Sequence, residues 1–158
     1  MTRVLVTGGT GFIGSNLVTA LVRGGYDVRV FDNNFRGKEG NLRSVWDQIE
    51  FIKGDIRDPV QVSNATKGVD VVYHLAFING TEFFYKYPEL VLEVGIKGHL
   101  NIMEACHKSQ VQRFIYASSS EVYQVPKVLP TPENIACVVP EVGNPRYSYG
   151  GSKILGSC

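Results

Sequence analysis

Cysteine is scarce in this sequence: Cys106, Cys137 and Cys158 are the only three among 158 residues. Three is an odd number, and their spacing matches no metal-ligand pattern. A disulfide framework and a metal site are therefore not expected, whereas reduced thiols in a cytoplasmic protein are. Net charge is scarce as well, since sixteen Lys and Arg against fifteen Asp and Glu leave +1. That balance gives no reason to expect nucleic acid or an anionic membrane as partner. No apolar run reaches the roughly 18 residues of a membrane-spanning helix. A strand begins so soon after Met1 that a signal peptide has no room. Internal repeats and low-complexity tracts are missing too. What remains is an ordinary globular composition, 44% hydrophobic and 20% charged, long enough for one domain over residues 1–158 with its own core.

Glycine is plentiful, with 17 residues, and its densest run organises the chain. Thr7-Gly8-Gly9-Thr10-Gly11-Phe12-Ile13-Gly14 follows the apolar strand Val4-Leu5-Val6. It leads into Phe12, Ile13, Leu17, Val18, Leu21 and Val22, an apolar stripe at helical spacing. Gly9, Gly11 and Gly14 satisfy G-x-G-x-x-G, and Gly8, Gly11 and Gly14 satisfy G-x-x-G-x-x-G. A glycine-rich hairpin would explain the glycines alone. The strand before and the helix after instead suit a loop that approaches a pyrophosphate closely, with the helix amides facing the anion. Asp32 ends the next strand, Asp27 to Asp32, where a carboxylate accepts hydrogen bonds from an adenosine ribose. Arg36, Lys38 and Arg43 lie nearby and suit a 2′-phosphate, but the Asp32 carboxylate would repel one, so NAD is expected over NADP.

Further along, Glu50 to Lys53 reads as a third strand ending at Gly54-Asp55. Asp55 and Ile56 are placed to hold an adenine ring, or Asp55 simply closes a turn. A short helix is expected over Pro59–Lys67, a fourth strand over Val69–Ala76 and a fifth over Val111–Ala117. The near-continuous apolar character of the fourth suits a parallel strand covered on both faces, with His74 as a core histidine. A single long helix is expected over Pro88–Lys108, with Pro88 in its first turn. Its apolar residues cover so much of its circumference that it needs a second partner, either more of this chain or a second copy. Strand and helix alternate throughout, which predicts an α/β, doubly wound parallel sheet with ligands beyond the carboxyl ends of its strands. Five prolines between residues 124 and 146 predict a loop over the site.

Ser118-Ser119-Ser120-Glu121 follows the fifth strand, and Tyr147 to Lys153 follows the proline-rich loop. Tyr149 and Lys153 are four apart and would share a helix face. An ammonium beside a phenol favours the phenolate, and such a tyrosine can take a proton from a carbinol. The order of glycine loop, strand-end acid, serines after strand five and Tyr-x-x-x-Lys resembles the extended short-chain dehydrogenase/reductase family. The likeness is greatest to its NAD-dependent nucleotide-sugar epimerases and dehydratases. It rests on Thr7 to Gly14, Asp32, Gly54-Asp55-Ile56, His74-Leu75-Ala76, Ser118 to Tyr123, and Tyr149 with Lys153.

The resemblance implies a Rossmann-type NAD-binding domain and a nucleotide-sugar substrate. It implies Ser119 on the sugar hydroxyl, Tyr149 as base, and Lys153 both tuning the phenol and holding the nicotinamide ribose. Glu121 is implied as a proton handler at the sugar's C5. Cofactor contacts are implied for Gly8, Gly11, Phe12, Ile13, Gly14, Asp32, Asn33, Asp55, Ile56, Leu75, Ala76, Tyr149 and Lys153. A homodimer through the helix 88–108 is expected. Three positions depart from the family pattern: Gly95 in place of Asn, Gln124 in place of Gly, and Ser120 in place of the Asp that precedes Glu in many dehydratases. Epimerase, dehydratase and decarboxylase chemistry stay open, with a non-catalytic dinucleotide-binding module or a reductase as alternatives. Relatives extend well beyond the position of Cys158, so the chain is expected to be the amino-terminal half of such an enzyme. The substrate-binding part would then be absent, and the chain would not turn over a sugar by itself.

Overall fold

The computed structural model describes residues 1–158. Five strands form one parallel sheet: β1 (Arg3–Thr7), β2 (Asp27–Asp32), β3 (Ile49–Lys53), β4 (Val71–His74) and β5 (Arg113–Tyr116). Their order is β3-β2-β1-β4-β5, with β1 paired to β2 from Arg3↔Asp27 and to β4 from Val4↔Val71. The chain thus winds outward from β1 in one direction and then returns to its other side. The carboxyl end of β1 is the point where this order reverses, and there a doubly wound sheet leaves a crevice. The expected fold class and all five strands are present.

Two compact units divide the chain, the first made of residues 1–77 and 98–117, the second of residues 78–97 and 118–158. The first unit contains the sheet, α1 (Phe12–Arg23), α2 (Pro59–Thr66) and, later in the chain, α5 (His99–Lys108). Alternation along β1 and β2 sends Val4, Val6, Val28 and Val30 into one cluster with Val18 and Leu21 of α1 and with Leu42 and Val45. The stripe predicted for α1 is thereby realised at Val18 and Leu21, but not at its start. Phe12 is 85% exposed and Ile13 71% exposed. Both occupy the first helical turn, which has left the glycine loop but not yet reached the sheet face.

Arg29 is a buried cation on β2. Its Nε donates to Glu50 Oε2 at 2.8 Å, and its guanidinium donates to the Ala65 and Lys67 carbonyls at 2.7 and 2.8 Å. Those carbonyls lie at the end of α2 and have no partner in the helix ladder. Arg29→Met keeps the length of the side chain but strands both carbonyls and the Glu50 carboxylate. It is expected to cost about 2–3 kcal/mol in urea unfolding.

The second unit contains α3 (Thr81–Lys86), α4 (Pro88–Leu92) and α6 (Ser148–Ser157). Sequence reading did not anticipate α3. The helix expected over 88–108 is helical from end to end, with one refinement: between α4 and α5, which begins at His99, the segment Glu93–Gly98 is π-helical. Gly95 and Gly98 within that segment weaken the α-helical ladder enough for it to widen. Pro88 does sit in the first turn of α4. From Gln124 to Asn144 no helix or strand forms. No helix is long and apolar enough to cross a membrane.

Candidate cofactor and active site

In the first unit the glycine loop leaves β1 with Gly8 in the left-handed region, at φ 72°. The Gly8 N–H donates to the Phe31 carbonyl at 2.9 Å, and the Gly11 N–H donates to the Gly8 carbonyl at 3.2 Å. A Cβ on Gly14 would run into the Gly8 carbonyl, so the helix can approach the loop this closely only with glycine there. Gly11 caps α1 without a side-chain hydrogen bond, and the first turn has no acidic residue. The helix therefore presents its leading amides, at Phe12, Ile13 and Gly14, with neither a side-chain cap nor a nearby carboxylate competing for them. That arrangement fits a phosphate anion.

Thr7 ties this loop to β4. Its Oγ1 accepts from the Leu75 and Ala76 N–H groups, each at 3.2 Å, and lies 2.7 Å from His74 Nδ1. Leu75 and Ala76 are thereby drawn against Gly8, where an added Cβ would meet the Ala76 backbone at 2.7–2.9 Å. The glycine loop and the end of β4, far apart in sequence, do meet. His74 is buried and stacks on His99 at 5.3 Å, as a core histidine would.

At the end of β2, Asp32 Oδ2 accepts from the Thr10 N–H at 3.0 Å and Oδ1 from the Asn34 N–H at 2.8 Å. A carboxylate has about four acceptor sites, so two stay open for a ribose diol. Asn33 Nδ2 donates to Asp55 Oδ2 at 3.2 Å, joining the ends of β2 and β3. The Arg57 side chain bonds both Asp55 oxygens, at 3.1 and 2.8 Å, and holds that carboxyl below its ordinary pKa. Ile56 is buried: it packs where a Cβ on Gly98 would collide with it, and its carbonyl accepts from Asn101 Nδ2 at 2.9 Å.

The second unit contains the four residues expected to carry chemistry. Tyr149 and Lys153 lie one turn apart on α6, 7% and 3% exposed, with the Lys153 Nζ 5.8 Å from the Tyr149 ring centroid. Burial pushes the Lys153 ammonium down to about 8. Ser119 is in extended backbone at the start of the short turn Ser120–Val122, and its Oγ accepts from the Glu121 N–H at 3.2 Å. Gly150 lies so close to the Gln124 side chain and the Glu121 carbonyl that a Cβ there would come within 3.1–3.2 Å of both.

Three residues that sequence reading passed over, Arg146, Phe84 and Asn144, complete this group. Arg146 donates to Glu121 Oε1 at 3.0 Å, and its guanidinium lies 5.1 Å from the Phe84 ring centroid. Phe84 in turn stacks on Tyr149 at 5.4 Å. Asn144 orients Arg146 by accepting its N–H at 3.0 Å. Glu121 is thus held in an ion pair with Arg146. No spacing rule connects residues 25 apart across a proline-rich segment; the only signal was a lone arginine beside Pro145.

A model of the NAD-dependent epimerase/dehydratase family matches residues 4–157. A putative UDP-glucose 4-epimerase of Methanocaldococcus jannaschii is 35% identical over 155 residues, covering 97% of this chain and 48% of that protein. A 3 beta-hydroxysteroid dehydrogenase/Delta 5-->4-isomerase of Mycobacterium tuberculosis is 38% identical over 124 residues, covering 76% of this chain and 32% of that protein. Among solved structures, the UDP-glucose 4-epimerase of Brucella ovis in complex with NAD superposes with a TM-score of 0.87 at 29% identity. It covers 99% of this chain and 46% of that one. The chain therefore spans about half the length of the epimerases and about a third of the dehydrogenase.

Proposed function

The chain belongs to the NAD-dependent epimerase/dehydratase family, and on that premise we propose that it is the cofactor-binding and proton-transferring part of a nucleotide-sugar epimerase or dehydratase. The observation that carries the reading is the buried pair on α6, Tyr149 with Lys153 one turn on. A cation in the interior is costly, and its place one turn from Tyr149 is accounted for if the two side chains act together on a substrate hydroxyl.

The residues of the glycine loop fit NAD. The α1 amides at Phe12, Ile13 and Gly14 receive the pyrophosphate, and Asp32 and Asn33 receive the adenosine ribose. Asp55 and Ile56 border the adenine, while Gly8 leaves room beside Leu75 and Ala76 for close backbone approach. When bound, NAD supplies the hydride acceptor for a sugar carbinol. Tyr149 Oη takes the proton of that hydroxyl, Ser119 Oγ holds its oxygen, and the Lys153 ammonium stabilises the phenolate and touches the cofactor ribose. Glu121, positioned by its ion pair with Arg146, is assigned to handle a proton at the neighbouring carbon, C5. The carbinol is assigned to C4. The homodimer contact expected through residues 88–108 is assigned to Leu100 and Met103 of α5, both exposed.

Titration of the purified protein tests the cofactor assignment. NAD is expected to bind more tightly than NADP, because the Asp32 carboxylate repels a 2′-phosphate, and Asp32→Ala is expected to narrow that difference. Equal affinities in the unmutated protein would remove Asp32 from this role. Screening the full-length protein, with the part that follows Cys158 in its relatives, against UDP-, GDP- and dTDP-sugars for turnover tests the substrate class. The mycobacterial relative favours one further reading, a hydroxysteroid-type dehydrogenase. Oxidation of a 3β-hydroxysteroid with no reaction of any nucleotide sugar would select it.

A further inference from the structure

The loop that would receive the pyrophosphate and the segment that follows β2 are joined at one residue, Thr10. Its N–H donates to the Asp32 carboxylate, and its carbonyl accepts twice, from the Lys38 N–H at 3.2 Å and from Asn41 Nδ2 at 2.8 Å. Asp32 grips the other end of the segment through the Asn34 N–H. Between these anchors the two backbones come so close at Gly37 that a Cβ there would collide with Thr10. Thr10 itself is fully buried by this contact and its neighbours. We propose that Asn41 is a positioning residue for cofactor binding, clamping the segment after β2 onto the phosphate-binding loop so that the two form one preformed cradle. The proposal rests on the assignment of NAD to this loop.

The physical ground is the cost of order. A surface segment free to move must be fixed when a ligand arrives, and that entropy is subtracted from affinity. Thr10 is where fixing the segment also fixes the loop, because its two backbone groups face the segment on both sides. Lys38 contributes only a main-chain donor, which any residue but proline would supply. Asn41 is the side chain whose amide adds the second donor, so it is the position at which sequence decides whether the clamp closes. Gly37 is its steric counterpart, since even a methyl group there would hold the segment off Thr10.

The test is calorimetric titration of the purified protein with NAD and with ADP-ribose, which lacks only the nicotinamide ring. Asn41→Leu, which cannot donate to Thr10, is expected to weaken both ligands by the same three- to tenfold, the worth of about one hydrogen bond. Asn41→Gln, which restores the donor, is expected to recover most of that loss. Gly37→Ala is expected to weaken both ligands at least as much, by a route that leaves Asn41 intact. Arg29→Met serves as the structural comparison: it destabilises the same unit more strongly and is expected to leave both affinities unchanged well below its unfolding temperature. Wild-type affinity in Asn41→Leu and Gly37→Ala, or an equal loss in Arg29→Met, would overturn the clamp while leaving NAD binding in place. If the unmutated protein bound neither ligand, the cofactor assignment would fall and the clamp with it.

Discussion

Gly8→Ala is expected to lower NAD affinity at least a hundredfold and to cost about 3–4 kcal/mol of stability, while Gly25→Ala costs about 1 kcal/mol and leaves affinity untouched. Both glycines have φ in the left-handed region, 72° and 79°. An alanine at either site bears the same conformational strain, on the order of 1–2 kcal/mol. What differs is space. A Cβ at Gly25 meets nothing within 4 Å, whereas at Gly8 it falls 2.7–2.9 Å from the Ala76 N and Cα and the Leu75 carbonyl carbon. Those atoms are backbone, fixed by the Thr7 hydroxyl and by the β1–β4 ladder, so they cannot rotate away. The loop must move instead, and the α1 amides move with it. Titration with NAD and urea unfolding of the two variants separate the effects. Equal behaviour of the pair would mean that strain alone matters at Gly8 and that the close approach to β4 does not.

Much of this arrangement was legible in the sequence because buried parallel strands announce themselves. Val4-Leu5-Val6 is an apolar run and Val28 to Phe31 is apolar but for Arg29, and a strand covered on both faces reads that way. The glycine loop was legible because its spacing answers a backbone need that no side chain can meet. Periodicity misled at Phe12 and Ile13, since it assigns every apolar residue of a helix to the core face. It does not register that the first turn of α1 lies above the crevice. The extent of the helix over 88–108 was legible because its apolar residues recur throughout, whereas periodicity gives no sign of the wider π turn at Glu93–Gly98, where two glycines fall in six residues. Thr81 to Lys86 gave no helical signal, as the aromatic run Phe83-Phe84-Tyr85 has neither period. Partnerships were the least legible feature. Arg29 looks like a break in an apolar strand until its carbonyl partners on α2 are known. Arg146 looks like loop charge until Glu121 is found 3.0 Å away. Asp32 was assigned to a ribose, and its bonds to Thr10 and Asn34 show a second duty that spacing cannot reveal.

Lys153→Met is expected to make the protein more stable and less able to work. The ammonium is buried, and its environment lowers its pKa from 10.5 to about 8. The unfolded chain therefore binds the proton more tightly than the folded one. Between about pH 8 and 10.5 the unfolded state carries the extra proton, so stability rises with pH across that window. Below pH 8 the folded state bears the whole cost of the buried charge, on the order of 2–3 kcal/mol. Methionine fills a similar volume without that cost. Urea unfolding at pH 7 should show a gain of about 2 kcal/mol, and the rise between pH 8 and 10.5 should vanish. In the full-length protein the same substitution removes the cation assigned to Tyr149 and to the cofactor ribose, so turnover and NAD affinity should both fall. There, with Lys153 intact, turnover should decline above about pH 8 as the ammonium is lost. Tyr149→Phe separates the two duties: it keeps the ring against Phe84 and deletes the proton acceptor. Turnover should drop about 10²–10⁴-fold with NAD affinity nearly intact. A destabilised Lys153→Met would show that the ammonium is held by interactions worth more than its burial costs. A Tyr149→Phe enzyme at full rate would move the base elsewhere, and Glu121 would be the next residue to replace.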